Sequence, residues 1–271
     1  MPKQKIDDFF VINDANQINF DKVIETYNRF KNASISESDL KKYFRALLLD
    51  TENNMMFKKK EITNNPLQEF WALRFIDIAE SNYDNLLINK YSSFDQNDIN
   101  NIIKLCLGDK IINNIKNYLL NKGIYLYYVK HLPGANIDGA VYMTSFSTIA
   151  IGLSIKYERA DYVLFTLLHE LAHIIKHYDY ISEGIISIEN SQEEQEMEAN
   201  RYARDSIIDP KLYRVCSPKR TRDLNDLLRF SKANCIPPVL LAGIIRRDLN
   251  NYEIFKDIIN NSKIKRSEFY E

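Results

Sequence analysis

The stretch Val163-Leu-Phe-Thr-Leu-Leu-His169-Glu170-Leu-Ala-His173-Ile-Ile-Lys-His177 decides how the chain is read. It is apolar on nearly every side, as a helix buried in a domain core must be. Three of the four histidines in the sequence fall inside it. His169 and His173 stand at i and i+4, one above the other on a single helix face. Glu170 lies about 100° further round. Polar imidazoles inside an apolar helix require partners, and a metal ion can serve both. The spacing is HExxH: two ligands, His169 and His173, with Glu170 placed to reach a water molecule without ligating the ion. The competing reading is a helix whose histidines only bond to neighbours. His177 cannot join the other two around one tetrahedral ion from the same straight helix. It is read as a surface position or as a group behind the ligands.

A catalytic zinc commonly holds three protein ligands and leaves one position for water. The run Glu193-Glu-Gln-Glu-Met-Glu-Ala-Asn-Arg-Tyr-Ala-Arg204 offers the third. With Ala199, Tyr202 and Ala203 taken as the packed side, Glu198 abuts that side and is the expected ligand. Glu194, one turn earlier, is the alternative, and Glu193 and Glu196 are expected to point outward. Glu193 and Glu194 also suit an acidic helix start.

Working outward, residues 19–49 carry helical apolar spacing, with a helix start at Ser34. The Asn- and Lys-rich stretch 51–65 reads as a boundary. Helical pattern resumes at Pro66 and continues to about residue 121. The period then changes: Gly123–Val129, Ala140–Phe146 and Ile149–Ser154 read as strands separated by turn chemistry at 133–139. Their short connections predict an antiparallel meander. Helices follow over 161–178 and 192–206, then near 221–233, 237–248 and 251–261. The expected fold is α+β: mainly helical, with a small antiparallel sheet packed against the HExxH helix in zincin-like fashion. Residues 1–65 are expected to form an N-terminal helical region, and 66–271 the metal-site domain with C-terminal helices.

The 271 residues carry a net charge of −1, so no global field draws the chain to nucleic acid or an anionic membrane. Basic clusters at Lys58–Lys60, Lys219–Arg222, Arg246–Arg247 and Lys263–Arg266 read as solvated surface, with a phosphate-binding or partner-docking patch as the alternative. Cys106, Cys216 and Cys235 are odd in number and widely spaced, which fits buried free thiols in a reducing compartment. No apolar run reaches the length of a signal peptide core or a membrane span. A cytoplasmic protein is expected.

Phe165-Thr-Leu-Leu-His169-Glu170-Leu-Ala-His173 together with Glu198-Ala-Asn-Arg-Tyr-Ala203 resembles the ImmA/IrrE metallopeptidase domain, which pairs an HExxH helix with a downstream Glu-Ala-Asn helix. Weaker similarity at His131–Ala140 and Phe230–Pro238 looks like the peptidase part of HigA-like fused regulators, and the resemblance spans residues 66–265. It implies zinc ligands at His169, His173 and Glu198, and a catalytic glutamate at Glu170. It also implies a protein substrate of the repressor or antitoxin type, in stress response, mobile-element control or phage defence. Two departures stand out. Residues 1–65 show no helix-turn-helix pattern, so direct nucleic-acid binding is not expected and any regulator is a separate chain. Ala172 also replaces a Gly frequent in the family.

The expected activity is zinc-dependent peptide hydrolysis, with Glu170 moving the proton. Manganese or iron would also suit two imidazoles and a carboxylate. Tyr142 and Tyr202 are candidate oxyanion donors, and a sheet edge could hold an extended substrate by strand addition. The alternatives are a zinc-binding regulator or antitoxin-like module that does not cleave, and a structural metal domain. Glu170 favours the hydrolase, because a structural site has no use for a carboxylate there.

Overall fold

A computed structural model describes residues 35–36, 38, 66–81, 89–182, 187–188 and 193–270. The chain divides into two units, Met1–Arg74 with Leu132–Asn136, and Phe75–His131 with Ile137–Glu271. The helices expected over 19–49 and the boundary at 51–65 lie outside the described residues, apart from positions 35, 36 and 38. Within the first unit, the opening turns of helix α1 (Pro66–Ser81) bury Leu67, Phe70, Trp71 and Leu73. The second unit holds the rest of α1 and every element below.

The helical stretch expected through residue 121 is two helices, α2 (Gln96–Leu105) and α3 (Ile111–Leu120). Asp95 starts α2 by accepting the backbone N–H groups of Asn97 and Asp98, and Asp98 answers with a bond to the Asp95 N–H. This reciprocal cap satisfies donors that a helix start leaves open.

Three strands follow, β1 (Ile124–Tyr128), β2 (Gly139–Met143) and β3 (Ile149–Leu153). A two-residue strand, β4 (Ser187–Ile188), completes a sheet of order β1-β3-β2-β4. The expected meander is corrected here. β2 and β3 do pair antiparallel, but β3 inserts between β2 and β1 and runs parallel to β1, with Ile124 opposite Ile149. The sheet is therefore mixed. A central strand buried on both faces reads as a continuous apolar run, and Ile149-Ala-Ile-Gly-Leu153 is buried throughout.

Strand alternation sorts the sheet into two faces. Gly152 takes Phe75 of α1 so closely that a Cβ there would lie 2.7 Å from the ring. Its register partner Ala140, with Tyr142 and Ala150, shares that face. Val141, Ile151 and Leu153 face the other way and enter the main core with Val163, Leu164 and Leu167 of helix α4 (Ala160–Lys176). α4 thus packs on β2 and β3, and the chain is α+β, mainly helical with a small sheet.

The chain continues through α5 (Tyr178–Ser182) and α6 (Glu193–Ile207), the latter lying along α4. Short helices α7 (Pro210–Arg214) and α8 (Pro218–Thr221) lead to α9 (Leu224–Asn234), α10 (Pro238–Asp248) and α11 (Lys256–Asn261). α10 packs on α4 and brings Leu240, Leu241, Ile244 and Ile245 into the core. Among the thiols, Cys106 and Cys216 are buried as expected; Cys235 is exposed, because it terminates α9 in the left-handed region. No helix among the described residues is long and apolar enough to cross a membrane.

Candidate metal centre

The site is built from two helices. α4 supplies His169 and His173, both buried, and their Nε2 atoms stand 3.1 Å apart. α6 supplies a carboxylate, and it is that of Glu196. Its Oε2 lies 3.1 Å from His169 Nε2 and its Oε1 lies 3.3 Å from His173 Nε2. Among the described residues these three form one cluster able to hold an ion.

Glu198, the expected ligand, does not reach this point. Its side chain is 54% exposed and faces the C-terminal end of α4, with Oε2 at 3.4 Å from His177 Nε2 and Oε1 at 4.0 Å from Lys176 Nζ. Glu194 is exposed. The physical reason is helical phase. Glu196, Ala199 and Ala203 stand at i, i+3 and i+7, one stripe of the helix. Both alanines are buried, and their small side chains let α6 come close to α4. Glu198 and Tyr202, at i and i+4, form the neighbouring stripe. The aromatic Tyr202 drew the expected face one residue too far round.

The spacings fit zinc. Two ligands at roughly 2.0–2.1 Å from a tetrahedral ion stand about 3.3 Å apart, and the three distances here are 3.1, 3.1 and 3.3 Å. Protonation fits too, since ligating histidines must be neutral and carboxylates ionised. Burial holds the His173 imidazole below its usual range, against the pull of Glu196. Burial alone would raise the Glu196 carboxyl; hydrogen bonds from His169 and His173 outweigh it and bring the group to about 2.

Glu170 is 2% exposed, and its carboxyl lies against Gly139 at the start of β2. A Cβ at position 139 would stand 2.5 Å from Oε1 and 2.9 Å from Cγ. Gly139 is therefore the floor on which the glutamate rests, a role that the sequence shows only as turn chemistry.

His177 is buried, not a surface group, and sits directly behind a ligand. Its Nδ1 is 3.0 Å from His173 Nδ1. With a metal ion on Nε2, His173 would carry its proton on Nδ1, within reach of His177 Nδ1 as acceptor. His177, with Glu198 beside it, would thus brace the His173 ring, as outer partners of metal-binding histidines commonly do.

Neither candidate oxyanion tyrosine is at the site. Tyr142 is on the sheet face turned from α4 and donates to Glu80 Oε1 at 2.8 Å; burial first, then this carboxylate, raises its phenol. Tyr202 lies under Lys176 Nζ, 4.7 Å from the ring centre. The outer edge of β2, where an extended peptide could add, is taken by β4 at Ala140 and Val141.

A cavity of about 590 Å³ reaches the centre at Thr166 and His169 and runs between α4, α6 and α10. No family model, curated protein or solved structure matches the chain.

Proposed function

We propose that the chain is a zinc-dependent endopeptidase of the ImmA/IrrE type. Its substrate is a regulatory partner protein of the repressor or antitoxin kind, met in the cytoplasm during stress response, mobile-element control or phage defence. The observation that carries this reading is the convergence of His169, His173 and Glu196 beside a buried glutamate, Glu170, on the same helix. A structural site needs the first three and has no use for the fourth.

Zinc bound there supplies polarisation of a peptide carbonyl and acidification of a water molecule. The protein's own groups do the rest. Glu196, held ionised, would bind the ion together with His169 and His173. Glu170 takes a proton at a carboxylate oxygen and returns it to the leaving amine nitrogen. Gly139 lets that carboxyl stay in place, and His177, its Nδ1 3.0 Å from His173 Nδ1, braces that ring. The cavity beside His169 gives a polypeptide room to approach.

The test combines metal analysis with a cleavage assay. Purified full-length protein should hold about one zinc per chain. Co-expressed with repressor-type proteins encoded beside it, it should shorten one of them, while Glu170→Gln keeps zinc and fold but cleaves nothing. If Glu170→Gln retains full cellular function, a non-cleaving zinc-binding regulator replaces this reading.

A further inference from the structure

The cavity that opens at His169 is lined by charge whose signs do not balance. Its three aspartates are already answered. Asp161 is held by the Arg159 guanidinium, Nε at 3.0 Å and Nη2 at 2.7 Å. Asp248 accepts the Tyr213 hydroxyl at 2.8 Å and pairs with Arg204 at 3.5 Å. Asp138 accepts the Tyr162 hydroxyl. Three further arginines line the same space: Arg201 on α6, and Arg246 and Arg247 on α10. None of the three has a carboxylate partner among the described residues. Arg201 and Arg247 are exposed, and Arg247 lies over the Phe165 ring at 5.5 Å.

Arg246 is different. The sequence reads it as solvated surface, yet it is only 6% exposed. Nη2 donates to the Tyr252 carbonyl and the guanidinium lies 5.7 Å from that ring, while Nε and Nη1 have no hydrogen-bond partner. Asp161 and Glu253 act on Arg246 only without a close ion pair, and a buried guanidinium with Nε and Nη1 unpaired is costly to hold. A site that keeps one at the wall of an open cavity is completed by an anion from outside. Guanidinium groups match carboxylates in geometry as well as charge.

We propose that this cavity is a substrate subsite that takes a carboxylate of the bound polypeptide, its acidic side chain or chain terminus lying near Arg246 beside the metal centre. The occupant's identity as a polypeptide rests on the peptidase reading. The subsite sets which residue next to the scissile bond is preferred, because the cavity begins at a metal-facing histidine.

The test is binding to full-length, zinc-loaded Glu170→Gln, which leaves peptides intact. The probes are fluorescent alanine-rich peptides in matched pairs: one internal Glu against Gln, and a free C-terminus against an amide. The carboxylate member of a pair should bind about tenfold tighter, and added salt should shrink the difference. Preference in the Glu/Gln pair assigns an internal acidic residue; preference confined to the free C-terminus assigns a terminal carboxylate. Arg246→Met should abolish the preference. Arg201→Gln, at an exposed position that does not risk the fold, should reduce it. Equal binding within both pairs, or a preference that survives both substitutions, overturns the subsite. Turnover is read separately: a wild-type protein that cleaves no peptide while Glu170→Gln keeps the preference removes the peptidase reading and leaves the anion subsite standing.

Discussion

Helices α4 and α6 meet at one point, and they present their chemistry in opposite ways. α4 is apolar on nearly every side, so His169, Glu170 and His173 stand out against a background that has no other use for them. α6 is polar on almost all sides and carries several glutamates, so a ligand there is one carboxylate among many. The difference teaches where helical phase can be trusted. On α4 the whole core fixes the phase. On α6 only Ala199, Ala203 and, at the far end, Ile207 fix it, and a partly buried tyrosine beside them pulls the apparent face toward Glu198.

The strongest way to break this comparison is to exchange the two glutamates' fates. Glu196→Ala removes a ligand and should abolish stoichiometric zinc, measured by elemental analysis after dialysis. Glu198→Ala should keep it. If Glu198→Ala loses the metal and Glu196→Ala does not, the assignment on α6 is reversed and the phase argument fails with it.

A second substitution leaves the ligands alone. Gly139→Ala meets no backbone strain but drives a Cβ into the Glu170 carboxyl. Zinc content should stay near wild type while peptide cleavage falls by about 100-fold or more, the usual share of a general base. Activity equal to wild type would mean that Glu170 does not work from this position.

A smaller effect probes the chain behind His173. His177→Ala should weaken zinc binding by about 10–100-fold without abolishing it, the typical cost of losing an outer partner, read by chelator competition. Glu198→Gln should move affinity in the same direction and by less, since Glu198 acts only through His177. Unchanged affinity in His177→Ala would make the 3.0 Å contact incidental.

The legible part of this molecule is what periodicity reports. The α4 helix and the α+β class follow from apolar spacing and a change of period near Gly123, and the i, i+4 spacing brings the two candidate ligands His169 and His173 together. Long-range choices were not legible. That β3 enters between β1 and β2 depends on which edge it finds, and strand pattern is the same for a meander and for a mixed sheet. Gly139 is a turn residue by composition, and only its neighbour across space makes it part of the site. Arg246 looks like half of a surface dipeptide with Arg247, but adjacent helix positions point about 100° apart. One guanidinium faces solvent and the other is buried.

The smallest expected effect separates loss of the site from loss of the fold. Asp98 caps α2 and is bound by Lys122 Nζ at 2.8 Å and the Tyr118 hydroxyl at 2.6 Å. α2 touches both α4 and α6, and Gln96 donates to Ser206 on α6 at 3.4 Å. Burial would raise the Asp98 carboxyl; the bonds from Lys122, Tyr118 and the Asp95 backbone outweigh it and hold it below the ordinary 3.8. A carboxyl depressed in the folded state contributes stability that is present above its unfolded value and lost as pH falls through the folded one. Asp98→Asn should therefore cost about 1.5 kcal/mol near neutral pH, measured by urea unfolding. The gap between variant and wild type should close as pH drops below the ordinary carboxylate value. Zinc affinity of the folded variant should match wild type, because no ligand moves. A stability gap that persists in acid would assign the loss to packing of the amide instead of the charge. A drop in zinc affinity would show that α2 braces the metal centre through α6, which would make the two helices less independent than their sequences suggest.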